Sequence, residues 1–147
     1  MSGIVCAIRG GPSSLHTIDR AVALAQETGL ALYLLYVVNL GFLNRTVTSR
    51  VRTISAEMRQ MGESILITAQ ERAAAQGITA ERVVRHGGVL EEIAGLCHEL
   101  SASYLVLGQP GGEDEGNVFT PEQQARFRAR IEEETGTHVV LSEGSSG

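Results

Sequence analysis

Five short strand-favouring runs alternate with four stretches whose apolar residues recur every three or four positions. The runs are Ile4–Ile8, Leu30–Val38, Glu81–His86, Tyr104–Leu107 and Val139–Leu141. The first, second and fourth are continuously apolar, as strands buried on both faces must be. The helical stripes between them are Leu15, Ile18, Val22 and Ala25; Val51, Ile54, Met58, Met61, Ile65 and Ala69; Leu90, Ile93, Ala94, Cys97 and Leu100; and Phe127 and Ile131. Strict alternation of strand and helix predicts the α/β class, with helices on both faces of a mostly parallel sheet. Right-handed crossovers with one reversal of winding make it a single open, doubly wound, five-stranded sheet of order 3-2-1-4-5.

Local signals punctuate this pattern. Ser13 or Ser14 caps the first helix, and Gly29, Gly77 and Gly136 stop the first, second and fourth. Gly62 weakens the second helix, while Met58 and Met61 read as core or interface filler. The last helix has the clearest start, with Thr120 as cap, Pro121 in the first position and Gln123 placed for a capping box. Residues 1–141 are expected to form one domain, followed by a flexible polar tail over 142–147.

The reversal of winding locates the expected site. Ile4–Ile8 runs into Arg9-Gly10-Gly11, and Tyr104–Leu107 runs into Gly108-Gln109-Pro110-Gly111. If these strands are neighbours, their turns face one crevice at the carboxyl end of the sheet, where such folds take ligands. The candidate crevice comprises Arg9, Gly10, Gly11, Val38, His86, Gly87, Gly108 and Gly111. A charge leaving a buried strand must find a counter-charge, so Arg9 calls for either a structural ion pair or a ligand contact.

Composition narrows the chemistry. Across 147 residues the hydrophobic fraction is 43% and the net charge −5, enough for a core and the wrong sign for a nucleic-acid partner. All 12 basic residues are arginine, which excludes lysine-based chemistry. The longest apolar run is broken by Asn39 and Gly41 and is too short to span a membrane, and no leader pattern opens the chain. Membrane insertion is therefore not expected, and a cytoplasmic location is. Cys6 and Cys97 fall on core positions and read as reduced, buried thiols. The four histidines lack metal-ligand spacing, so no metal site is expected. Ser13-Ser14 lacks the pattern of a nucleophile elbow, and Glu91-Glu92 suits the positive end of a helix better than catalysis. Without a nucleophile and base pair, an enzyme is not expected.

Four segments together resemble the universal stress protein family over nearly the whole chain. Ile4–Gly10 is similar to that family's first strand and turn, and Ala31–Val38 to its second strand, which ends in an apolar pair. Val84-Arg85-His86-Gly87-Gly88 through Ile93 resembles the third strand, its glycine and the helix behind it. Leu105-Val106-Leu107-Gly108, with Gly111, resembles the fourth strand and the start of a phosphate-binding loop. The resemblance implies a small cytoplasmic α/β dimer, in a family where some members bind ATP and others do not.

ATP-binding members carry Gly-x-x-Gly, nine residues, then Gly-Ser or Gly-Thr. Gly108 and Gly111 match, but nine residues further on stands Pro121, preceded by Thr120. Anchoring on the last helix and strand puts Ala125-Arg126 there instead, and neither restores the Gly-Ser or Gly-Thr step. Arg9 replaces an aspartate at the end of the first strand. Glu113, Asp114 and Glu115 follow the second glycine. Like charges about 8 Å apart repel by about 2 kcal/mol at an effective dielectric near 20, so these acids oppose a polyphosphate. The expected function is a non-enzymatic stress-response module that dimerises and docks on an unidentified protein, without a cofactor. The alternative is binding of ATP or AMP, with Mg²⁺ and slow hydrolysis, between the first and fourth strands. The dimer is expected along Val139, Val140 and Leu141, an apolar edge strand whose unpaired backbone invites a second copy.

Overall fold

The computed structural model describes residues 3–8, 13–38, 48–108 and 121–142. In chain order the elements are β1 (Gly3–Ala7), α1 (Ser13–Thr28), β2 (Ala31–Val38), α2 (Thr48–Ala74), β3 (Ala80–His86), α3 (Val89–Leu100), β4 (Tyr104–Gly108), α4 (Pro121–Thr135) and β5 (His138–Ser142). The sheet order is β3-β2-β1-β4-β5, as the alternation requires, and every neighbouring pair is parallel. β5 extends one residue into the expected tail, through Ser142.

Alternation along β1 divides the core. Ile4, Cys6 and Ile8 point to the side packed by α1 and α2, where Ile18, Val22, Leu66, Ala69 and Ala73 meet them. Val5 points to the other side, beneath Ile93, Leu96 and Cys97 of α3 and Phe127 and Ile131 of α4. Two helices per side follow from the single reversal of winding.

The long second helix differs from its expected stripe. Met61 is 51% exposed, because the line that faces the sheet runs through Met58, Gly62, Ile65, Leu66, Ala69 and Ala73. Gly62 is part of this packing and not merely a weak point. A β-carbon there would overlap the ring of Tyr36, so glycine lets α2 lie directly on β2. Leu15 is likewise 39% exposed at the start of α1, outside the buried stripe.

Polar contacts fix the ends. Arg72 of α2 donates from Nε and Nη2 to the two carboxylate oxygens of Asp19 on α1, both at 2.7 Å. Gln70 Nε2 donates to the Ala80 carbonyl at 2.7 Å, tying α2 to the start of β3. α3 ends without glycine: Ser101 takes a left-handed conformation (φ 50°), and its N–H and that of Ala102 return to the last turn. Thr137, fully buried before β5, donates its hydroxyl to the Ala102 carbonyl at 2.8 Å.

Candidate functional site

The described residues expected to line the crevice, Val38, His86, Gly87 and Gly108, stand at the carboxyl ends of β2, β3 and β4. β1 and β4 are neighbours, with Ala7 opposite Leu107, so the chain leaves both strands beside one another at the reversal of winding. Arg9, Gly10, Gly11 and Gly111 lie outside the described residues, as do Glu113, Asp114 and Glu115. Of the remainder, three come together. Val38, 1% exposed, stands opposite His86, and its carbonyl accepts the Gly87 N–H at 3.0 Å. Gly108 closes β4 at the same end of the sheet, with β1 between it and β2, about 10 Å away at ordinary strand spacing.

Gly87 holds φ 141°, a region open to glycine and closed to other residues. That geometry brings Glu92 against it: a β-carbon on Gly87 would stand 2.8 Å from Glu92 Oε2. Glu91 curls onto Gly88 in the same way. The N-terminus of α3 is thereby faced by its own two carboxylates, which complement the helix dipole and repel an approaching anion. Arg85 of β3 crosses to α3, where Nη2 and Nη1 meet Glu99 at 2.6 and 3.0 Å, with Glu92 at 3.8 Å. The hydrogen bond from Arg85 lowers the Glu99 pKa, and its counterpart raises that of Arg85. His86 is exposed beside this cluster.

The second candidate feature is the outer side of β5. The His138 N–H donates to the Ser103 carbonyl at 2.9 Å, so His138 faces β4 and strand alternation turns the backbone groups of Val139 and Leu141 outward. No strand lies beyond β5 among the described residues. The outward Val139 N–H nevertheless has a partner: it donates to Glu132 Oε2 of α4 at 3.2 Å. The same oxygen lies 3.5 Å from His138 Nδ1 and 3.6 Å from Arg128 Nε. The His138 ring stands edge-on to Tyr104, centroids 5.9 Å apart. Sequence reasoning missed Glu132 because nothing in its spacing ties it to the strand. The link depends on how the chain turns at Gly136 between α4 and β5.

Both thiols are buried and free, and burial pushes each up to about 12. Cys97 is buried while its neighbour His98 is exposed, as their different helix faces imply. Among the described residues no group of three or more His, Cys, Asp or Glu could hold a metal ion, and no helix is long and apolar enough to cross a membrane.

This geometry is that of a small doubly wound α/β protein with its reversal of winding between β1 and β4. The sequence profile of the universal stress protein family matches residues 1–120, and the chain belongs to that family. The universal stress protein YxiE of Bacillus subtilis (strain 168) is 28% identical over 116 residues, covering 74% of this chain and 78% of that protein. Among solved structures, the universal stress protein UspA from Lactobacillus plantarum superposes with a TM-score of 0.78 at 14% identity, over 96% of this chain and 97% of that one. A universal stress protein in complex with cAMP gives 0.68 at 22% identity, covering 98% of each chain. The universal stress protein from Archaeoglobus fulgidus in complex with dAMP gives 0.63 at 16%, over 96% and 97%. At these identities the structural likeness establishes the fold.

Proposed function

We propose that the chain is a non-enzymatic stress-response module that pairs with its own copy along β5 and docks on a further protein. The observation that carries this reading is the outer side of β5. It is a five-residue strand with the backbone groups of two residues turned away from β4 and no charged side chain between His138 and Ser142. An identical copy related by a two-fold axis satisfies such groups on both chains at once. Buried, reduced thiols suit the cytoplasm, where we place it. Sedimentation velocity across a concentration series tests the pairing: a dimer is expected, and a strictly monomeric chain would overturn the reading.

A second reading is adenine-nucleotide binding beyond β1 and β4, with ATP and Mg²⁺ and slow hydrolysis. It draws on the buried Val38 at the strand ends and on the two relatives solved with cAMP and dAMP. Against it stand Arg9, the missing Gly-Ser or Gly-Thr step and Glu113–Glu115. The carboxylates of Glu91 and Glu92 add to the unfavourable charge at the same end of the sheet. A ligand bound only by the native state adds about 2.7 kcal/mol at a hundredfold excess over Kd. No rise in Tm is expected with ATP and Mg²⁺, and a clear rise would favour the second reading.

A further inference from the structure

We infer that Glu132 is a built-in brake on pairing at the β5 edge. The inference rests on the self-association proposed above and adds what limits its strength. An added strand needs the outward donors of β5, and Val139 supplies the first of them. That donor is already satisfied within the chain, by Glu132 Oε2 at 3.2 Å. The carboxylate comes from α4, the helix that leads directly into β5, so it stays with the edge wherever the edge goes. Two other cationic or polar groups steady it, Arg128 Nε at 3.6 Å from the preceding turn of α4 and His138 Nδ1 at 3.5 Å from the strand itself.

The arrangement sets up a competition. An incoming strand that takes the Val139 N–H must offer a neutral carbonyl in place of a carboxylate, and charged acceptors make the stronger hydrogen bond. Displacing the carboxylate is feasible because Glu132 is 37% exposed and can turn to water while keeping Arg128. Native proteins blunt sheet edges with charges, and here the charge sits on the neighbouring helix instead of the strand. A two-fold dimer that pairs through Val139 meets this cost twice, once on each chain.

The test compares the dimer dissociation constants of the native chain, Glu132→Ala, Glu132→Gln and Leu141→Pro, with folding checked by circular dichroism. Removing the carboxylate is expected to tighten the dimer about tenfold, and Glu132→Gln, which keeps an uncharged acceptor, to fall between. A merely structural Glu132 would give the opposite order, since a loosened β5 pairs less well. Equal or weaker association in Glu132→Ala, with Leu141→Pro monomeric, overturns the brake and leaves the edge pairing standing. Monomers throughout, or a dimer that survives Leu141→Pro, overturn the edge pairing and the brake together. A monomeric native chain whose Glu132→Ala variant dimerises supports the brake and overturns self-association of the native chain. If Glu132→Ala does not fold, the comparison of Glu132→Gln with the native chain decides in the same sense.

Discussion

The sheet ends on β3 at one side and β5 at the other, and the two edges are finished differently. β3 has Glu81 and Arg82 exposed, His86 exposed at its end, and Arg85 tied to α3 through Glu99. α2 also packs closely over it and β2, through Gly62 against Tyr36. β5 has apolar residues between His138 and Ser142 and one carboxylate from α4 on one outward donor. Charges along a strand deter any added strand, whereas a single displaceable cap only weakens pairing. An edge strand therefore has to be judged by what reaches its outward backbone groups, including side chains from neighbouring helices.

The largest expected effect separates the edges directly. Leu141→Pro deletes an outward donor of β5 without touching the ladder to β4, and proline is tolerated on an edge strand. It should weaken self-association at least about thirtyfold, from two lost hydrogen bonds of about 1 kcal/mol each plus the ring. The matched change is Arg82→Pro. Gly87 donates to Val38, so alternation turns Arg82 outward on β3, and its replacement should leave the sedimentation coefficient unchanged. Loss of the dimer in Arg82→Pro alone would reverse the assignment of the two edges.

Gly62→Ala acts on the cover of β3. The added methyl meets the Tyr36 ring, and overpacking of this kind costs about 1–3 kcal/mol, a fall in Tm of about 2–12 °C. Amide exchange in β2 and β3 should accelerate while β5 is spared. Uniform acceleration would mean that the two sides do not open separately.

The smallest effect concerns the clamp between α1 and α2. The hydrogen bond from Arg72 holds the Asp19 carboxyl below its ordinary range, with burial opposing. A native pKa below the unfolded one means that the contribution is present at neutral pH and is lost as pH falls through the native value. Both side chains are well exposed, so solvent screens the pair and its worth is small. Asp19→Asn should lower Tm slightly at neutral pH and not in acid. An undiminished difference in acid would assign the effect to packing.

Element order and strand order were readable because apolar periodicity and glycine stops act locally and agree with one another from end to end. What escaped the sequence depends on the relation between elements. Met61 satisfies a three-to-four spacing as well as Gly62 does, and only the seat of α2 on Tyr36 decides which faces the core. Ser101 ends α3 in a conformation more often given to glycine, because the carbonyls of Cys97 and His98 accept the turning N–H groups. At the site, Val38, His86 and Gly87 were readable as strand-end positions, and the register brings them together. Glu91 and Glu92 were legible as dipole partners. Their approach to Gly88 and Gly87 depends on a backbone angle that no spacing encodes.

Cys6 lies in the layer packed by α1 and α2, and Cys97 in the layer packed by α3 and α4. The chain holds no other cysteine. Each half of the interior therefore carries its own chemical reporter, silent while closed because the reactive thiolate is suppressed by burial. Alkylation followed residue by residue resolves the breathing of the two layers in time. Equal rates at Cys6 and Cys97 identify opening as one concerted event, and unequal rates name the layer that parts from the sheet first.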